Sequence, residues 1–230
     1  MRGQTGLLFK EMLVSEEYLT EQEQIEQLKR WLKQYSSTIL AGILLAVVIM
    51  SSWHFWDTYH TKVLSHASNV YDEMLALRAQ NESAPAAVQA KKLIQHYKKT
   101  PYAQMASLML ARDAVANKNY DEAIKHLTWV IDHSKTAPFR QIAKIRLARV
   151  YIAQKKTTDA LDILKSVDSE SFAGLVDEVR GDAYMQQNDK AQARIAYQNA
   201  LQELPKEDVS QTPLLQIKLD NLATVSDSIQ

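Results

Sequence analysis

The sequence predicts an all-α protein in which a single N-terminal transmembrane helix is followed by an α-solenoid of helix pairs. Three observations carry this prediction. The 230 residues include only 5 Gly and 5 Pro, too few for the turns of an all-β or loop-rich fold, given that Gly alone averages roughly 7% of residues. Residues 34–56 form a run of 23 without one Asp, Glu, Lys or Arg. Beyond that run, small residues return at offsets of 33 and 37, a period that marks stacked helix pairs.

Composition narrows the function classes. A hydrophobic content of 46% is enough to fill a core of ordinary size. The balance of 27 Lys plus Arg against 27 Asp plus Glu removes the cationic excess that drives most nucleic-acid binding. The absence of Cys excludes disulfides, thiolate metal sites, cysteine nucleophiles and a lipidated Cys.

The first element expected is an amphipathic helix. Ile25, Leu28, Trp31 and Leu32 recur at helical spacing behind Glu16, Glu17, Glu21, Glu23 and Glu26. Two readings stay open for this lead-in, a docking helix and a solvated acidic segment. Residues 1–10 lack periodicity, and Met12 is an alternative start to Met1.

The second element is the apolar run itself, centred on residues 39–50. At about 1.5 Å per residue it spans roughly 34 Å, slightly more than the ~30 Å hydrocarbon core of a bilayer. Lys29, Arg30 and Lys33 precede it, whereas residues 57–76 hold Lys62 as their one cation. The positive-inside rule therefore places residues 1–33 in the cytosol and sends residues 57–230 across the membrane. Trp31 and Tyr35 on one side, with Trp53, Phe55, Trp56 and Tyr59 on the other, are placed to form interfacial aromatic belts. The run starts late and ends in bulky aromatics where a signal peptidase needs small residues. An uncleaved signal anchor at 34–56 is expected.

The remaining elements are helix pairs. Residues 118–124, Lys-Asn-Tyr-Asp-Glu-Ala-Ile, resemble the inter-helix turn and second-helix start of a tetratricopeptide repeat (TPR). Twelve residues before Ala123, Leu110 and Ala111 supply the large-then-small step of the first helix. The frame recurs in Leu147, Ala148, Tyr151, Ala160, Leu164 and Val167, then in Gly181, Tyr184, Ala193, Tyr197, Ala200 and Pro205. Ala111, Ala148 and Gly181 in first helices, with Ala123, Ala160 and Ala193 in second helices, let the two helices of a pair approach closely. Repeats are thus expected near 104–137, 141–173 and 174–207, with an insertion near Pro138. They are degenerate: the fourth repeat position, ideally Trp or Leu, is Ser107, Lys144 and Asp177.

Upstream, Ala90, Ile94 and Tyr97 precede Ala123, Leu127 and Val130 by 33 residues, which predicts a further second helix. Residues 67–79, with Tyr71, Met74 and Leu75, fall out of register and suggest a connector leaving the membrane. Downstream, Pro213 opens an apolar helix at 213–223 that suits the cap such arrays require.

Catalytic chemistry is sparse. Gly at 3, 6, 42, 174 and 181 writes neither a phosphate-cradling loop nor a dinucleotide turn. His126 and His133 lack a companion ligand at metal spacing. Asp121 and Glu122 stand where a helix begins and its dipole favours negative charge. No catalytic, cofactor or metal site is expected. A concave groove is. The positions that line it in tetratricopeptide repeats are here Met105, Leu108, Arg112, Val115 and Ala116, then Ile142, Ile145, Arg149, Ile152 and Ala153, then Leu175, Glu178, Asp182, Met185 and Gln186. An apolar groove facing water either binds a partner segment or is filled by the chain's own terminal helix. Both remain open. Arg112 and Arg149 share one repeat position and are expected to face the groove together.

Several motifs in order, Glu23-Gln24-Ile25-Glu26-Gln27-Leu28-Lys29-Arg30-Trp31-Leu32, one membrane run with an aromatic exit, Leu147-Ala148-Arg149-Val150, Arg180-Gly181-Asp182-Ala183 and a closing Leu-rich helix, resemble the bacterial YfgM family. The resemblance runs from about residue 21 to 222. It implies a non-enzymatic scaffold or chaperone adaptor of the bacterial inner membrane, single-pass, with a periplasmic TPR-like domain. The partners it implies are the SecYEG protein-conducting channel, the membrane-tethered chaperone PpiD and emerging secretory polypeptides. A periplasmic repeat adaptor for envelope assembly or cell division would share the fold. An anchored enzyme is the third class, against which the missing site chemistry argues.

Overall fold

The computed structural model describes residues 21–168, 170–203 and 212–224. Among them the chain is helical, with no strand: α1 Glu21–Ala79, α2 Ser83–His96, α3 Pro101–Ala116, α4 Tyr120–His133, α5 Ala137–Ala153, α6 Thr157–Lys165, a short 3-10 turn at Glu170–Phe172, α7 Ala173–Gln186, α8 Lys190–Glu203 and α9 Thr212–Thr224. The expectations for Met1, Met12, Glu16, Glu17 and Pro205 fall outside the described residues. The chain divides into two units, residues 1–61 and 62–230.

In the first unit, α1 carries the apolar run with its side chains outward. Leu40 is 66% and Met50 71% exposed, and no described residue from 23 to 61 is buried. The helix is long and apolar enough to cross a membrane. The amphipathic lead-in is continuous with it, and Glu26 pairs with Arg30 one turn on at 3.1 Å.

The second unit is a succession of antiparallel pairs, and one turn recurs in each. Asn81, Lys118, Lys155 and Asn188 all adopt left-handed φ between 57° and 63°. At each, that residue's N–H donates to the carbonyl three back, and the next N–H donates to the carbonyl five before itself: Lys118 to Val115 and Asn119 to Ala114 in the second pair, Asn188 to Met185 and Asp189 to Tyr184 in the fourth. This satisfies the orphan carbonyls of the first helix and reverses the chain within a few residues. Asn119 and Asp189 then cap the following helices, accepting from the N–H of Glu122 and Gln192. Asp121 and Glu122 sit in the first turn of α4, as their place at a helix start led one to expect.

The recurring turn corrects the expectation for residues 67–79. They are not an out-of-register connector but the first helix of a further pair, closed at Asn81 by the same bonds, Asn81 to Arg78 and Glu82 to Leu77. Aligned on the turn, the partner of Ala123 is Ala86, not Ala90. Ala86, Ala123, Ala160 and Ala193 each donate to the residue four back, at the entry of the second helix, and each is at most 1% exposed. Met74 then stands where Ala111, Ala148 and Gly181 stand in later pairs, and it is 1% exposed. A flexible thioether fills the space that a small residue leaves elsewhere. The spacing of 37 residues therefore occurs twice, from Ala86 to Ala123 and from Ala123 to Ala160, so the longer interval is not a single insertion near Pro138.

Core packing follows the pairs. Ala67, Val70 and Met74 pack with Ala86, Ala90 and Leu93 and against Ala103 and Ala106 of α3. Leu108, Leu127, Val130 and Leu147 centre the next layer, and Ile145, Leu164, Val176 and Val179 the one after. Leu215 and Leu222 of α9 close on Tyr197 and Ala200 of α8, which covers the last apolar face as a cap must. In two of the three copies the degenerate fourth position makes a polar link to the following helix or its C-cap, whereas Asp177 pairs with Arg180 on its own helix at 2.6 Å. The Ser107 hydroxyl donates to the His126 carbonyl at 3.0 Å, and Lys144 Nζ donates to the Ser166 carbonyl at 2.5 Å.

Candidate protein-binding cleft

Three successive first helices, α3, α5 and α7, present the side chains assigned to the groove, and the structure sorts them into three groups. Leu108 and Ile145, at 7% and 3% exposure, belong to the core. Ile142, Ile152 and Leu175 are half-buried against that core, and Met105 is half-buried as well. Large apolar side chains on the inner edge of each helix thus turn toward the neighbouring pair. Arg112, Val115, Arg149 and Ala153 meet instead around a cleft of about 320 Å³ between α3, α4 and α5.

The floor of this cleft is apolar, built from Ala111, Val115, Leu127, Val150 and Ala153. Its rim carries three guanidinium groups. Arg146 joins Arg112 and Arg149, and sequence reasoning missed it because it lies at the sixth repeat position, outside the five used to trace a groove. Its spacing from Arg149 was the available signal: three residues apart on α5, the two share a helix face. Burial first, then the neighbouring charges of Arg149 and Arg112, lower the pKa of Arg146 from its ordinary value.

The groove changes character at α7. Glu178 is 8% exposed, so its carboxylate needs partners to offset the cost of leaving water. It has two: Arg149 Nη2 donates to Oε2 at 3.2 Å, and Lys218 Nζ of α9 donates to Oε1 at 2.8 Å. Lys218 also donates to Asp182 Oδ1 at 2.7 Å and lies 5.4 Å from the centre of the Tyr197 ring. The Tyr197 hydroxyl donates to the same Asp182 oxygen at 2.8 Å. Burial, followed by the charge and hydrogen bond of Asp182 and the charge of Glu178, raises the Tyr197 pKa far above the usual range. Glu178 and Asp182 are therefore engaged by the terminal helix, whereas the cleft between α3 and α5 is covered by none of the described residues. Among the described residues, then, the terminal helix engages the α7 end of the expected groove and not the α3–α5 cleft. Val115 and Met185 are both 38% exposed, and Ala116 and Gln186 are exposed at the ends of their helices.

One further polar cluster joins two helices. Ser107, His126 and Glu122 meet in the order hydroxyl, imidazole, carboxylate, with Ser107 Oγ 3.4 Å from His126 Nδ1 and His126 Nε2 3.1 Å from Glu122. Ser107 is fully buried and spends its proton on the His126 carbonyl. A nucleophile must reach substrate, so this triad-like order joins two helices and offers no reactive oxygen. His133 stacks on Trp129 with ring centres 4.8 Å apart. No group of three or more His, Asp or Glu that could hold a metal ion occurs among the described residues.

Comparison with known proteins gives this arrangement a family. The tetratricopeptide repeat-like domain family matches residues 29–224, the apolar run included. Several relatives bear the name ancillary SecYEG translocon subunit. That of Neisseria gonorrhoeae is 30% identical over 207 residues, covering 89% of this chain and 98% of the relative. That of Escherichia coli is 27% identical over 208 residues, covering 90% and 98%, and that of Haemophilus influenzae is 28% identical over 184 residues, covering 80% and 90%. A match that spans both the apolar run and the helix pairs, shared with relatives of near-equal length, means that the chain belongs to the tetratricopeptide repeat-like domain family and, within it, to the YfgM family of these ancillary translocon subunits.

Proposed function

We propose that the protein is a non-enzymatic adaptor at the Sec protein-conducting channel, held in the bacterial inner membrane by residues 34–56 and binding partner proteins through its repeat domain. One observation carries the reading: relatives named for association with SecYEG match about nine-tenths of the chain, through the apolar run as well as the helix pairs. An apolar helix with every side chain outward needs lipid around it, and the basic flank at Lys29, Arg30 and Lys33 favours a cytosolic N-terminus. The repeat domain then works on the periplasmic side. The SecYEG channel, a PpiD-like membrane-tethered chaperone and emerging secretory chains are its partners in this reading.

The test places a photoreactive amino acid at Ala153, in the open cleft, and irradiates intact membranes. Crosslinks to SecYEG subunits or a PpiD-like chaperone are expected. Crosslinks confined to envelope-assembly or division proteins would overturn the translocon reading in favour of an envelope adaptor.

A further inference from the structure

The cleft between α3 and α5 holds more positive charge than its surroundings balance. Asp113, beside Arg112, is gripped in a two-point fork by Arg78 from the end of α1, and that half-buried fork ties the first pair to the second. Arg112 reaches the same carboxylate only through Nε at 3.7 Å and is 66% exposed. Arg149 shares Glu178 with Lys218. Arg146 has neither an ion pair nor a hydrogen-bond acceptor among the described residues, and the charges that act on it are guanidiniums. The three guanidiniums of the rim, Arg112, Arg146 and Arg149, thus have two carboxylates within reach, Asp113 and Glu178, and each of these is already paired with a further cation, Arg78 or Lys218. Gathering like charges beside an apolar floor opposes folding, because the guanidiniums repel one another.

The chemistry that relieves this arrangement has two parts in one ligand. A carboxylate takes the donors of Arg112 and Arg146 in charge-assisted hydrogen bonds. An aliphatic group covers Ala111, Val115, Leu127, Val150 and Ala153. A free inorganic anion meets the first demand and leaves the floor wet. A purely apolar segment meets the second and strips more water from unpaired guanidiniums. In an extended polypeptide, side chains two residues apart point to the same face, roughly 6.6 Å apart, so one acidic and one aliphatic side chain enter such a cleft together. At about 320 Å³ it stands at the small end of ligand pockets, a size for a few side chains of a peptide.

We propose that the α3–α5 cleft docks an acidic, apolar polypeptide segment, its carboxylate bridging Arg112 and Arg146 while a neighbouring aliphatic side chain rests on the floor. Arg149 stays tied to Glu178 and joins the site to the terminal helix through Lys218. The assignment rests on the reading of the repeat domain as a protein-binding adaptor and specifies the chemistry of what it binds.

The test uses the full chain in nanodiscs of zwitterionic lipid. The probe is a fluorescent peptide centred on Leu-Asp-Leu-Glu-Leu, compared with its Asn and Gln counterpart by anisotropy. The acidic peptide should bind about tenfold more tightly, as loss of a charge-assisted pair implies, and high salt should narrow the difference. The double variant Arg112→Gln with Arg146→Gln should abolish the preference without lowering the melting temperature, since neither side chain holds a buried partner and their removal relieves like-charge repulsion. Equal affinity for the two peptides, or a preference that survives the double variant, overturns the proposal. So does binding to vesicles of anionic lipid that disappears in the double variant while both peptides bind alike, which assigns the cluster to a headgroup. Crosslinking from Ala153 separates this proposal from the one beneath it. If the original chain and the double variant capture SecYEG subunits equally, the adaptor reading stands and the arginine site falls. If the peptide preference holds and no channel subunit is captured, the site stands and the translocon assignment falls.

Discussion

Adding one methyl group at Gly181 tests the closest helix approach in the array. A Cβ there would lie 2.2 Å from Cε1, 2.4 Å from Cδ1 and 2.8 Å from Cζ of Tyr197. Carbon atoms settle at about 3.5–4.0 Å, so the ring must retreat by more than about 1 Å. Little room exists for that: Tyr197 is 2% exposed, its hydroxyl is held by Asp182 and Lys218 stands over its face. Overpacking of this kind costs ~1–3 kcal/mol. In the opposite direction, Ala in place of a mid-helix Gly contributes about 1 kcal/mol. Gly181→Ala should therefore destabilise by ~0–2 kcal/mol, a fall in melting temperature of up to about 4–8 °C for a unit of this size.

The sharper result is a change of sign. In a Tyr197→Leu background the ring is gone, the propensity gain remains, and the same substitution should stabilise by about 0.5–1 kcal/mol. Urea unfolding of a fragment beginning at Lys62, followed by far-ultraviolet circular dichroism for all four members of the cycle, yields the coupling. A value of ~1–3 kcal/mol is expected. Equal stabilisation by Gly181→Ala in both backgrounds would show that the ring does not rest on Gly181, and the small-residue account of helix pairing would fall with it.

Acid should weaken the repeat domain through His126. Burial lowers its pKa, outweighing the opposite pull of Glu122, while Lys125 and Lys91 act in the same direction as burial. Below about pH 6.5 the unfolded chain takes up a proton that the folded chain resists, so stability present above that pH declines as pH falls toward the folded value. His126→Gln should lose less melting temperature than the original chain between pH 7.5 and 5.5, and identical losses would remove His126 from the account. For membrane topology, the absence of Cys makes an introduced thiol a unique reporter. A membrane-impermeant maleimide applied to intact spheroplasts should label Lys99→Cys, which is exposed, and spare Glu26→Cys; the reverse pattern would invert the proposed orientation.

Much of the fold was legible because its signals are local. The apolar run announces itself by composition, and the pairs α3–α4, α5–α6 and α7–α8 by small residues at Ala111, Ala148, Gly181 and their partners, where a near backbone tolerates no bulk. The first pair escaped because Met74 occupies a small-residue position and Ala90 offered a 33-residue offset that matched for the wrong reason. Only the left-handed turn at Asn81, a backbone property shared with Lys118, Lys155 and Asn188, reveals the common frame.

The candidate cleft was legible in part. Arg112 and Arg149 could be named because a repeat frame carries position from one copy to the next. That Leu108 and Ile145 are core while Arg146 reaches the rim depends on how far each helix rotates against the next. No single helix encodes that angle, since it is set by the summed packing of neighbouring pairs. The closure at α7 is of the same kind. Lys218 meets Glu178 across 40 residues of sequence and Asp182 across 36, and the Ser107–His126 link spans two helices. By itself the sequence determined the helices, their pairing and the apolar anchor run, because those follow from periodicity within a few turns. The tertiary structure alone decided which arginines gather, which carboxylates are already taken and where the groove stays open, because charges come together only once the pairs have stacked.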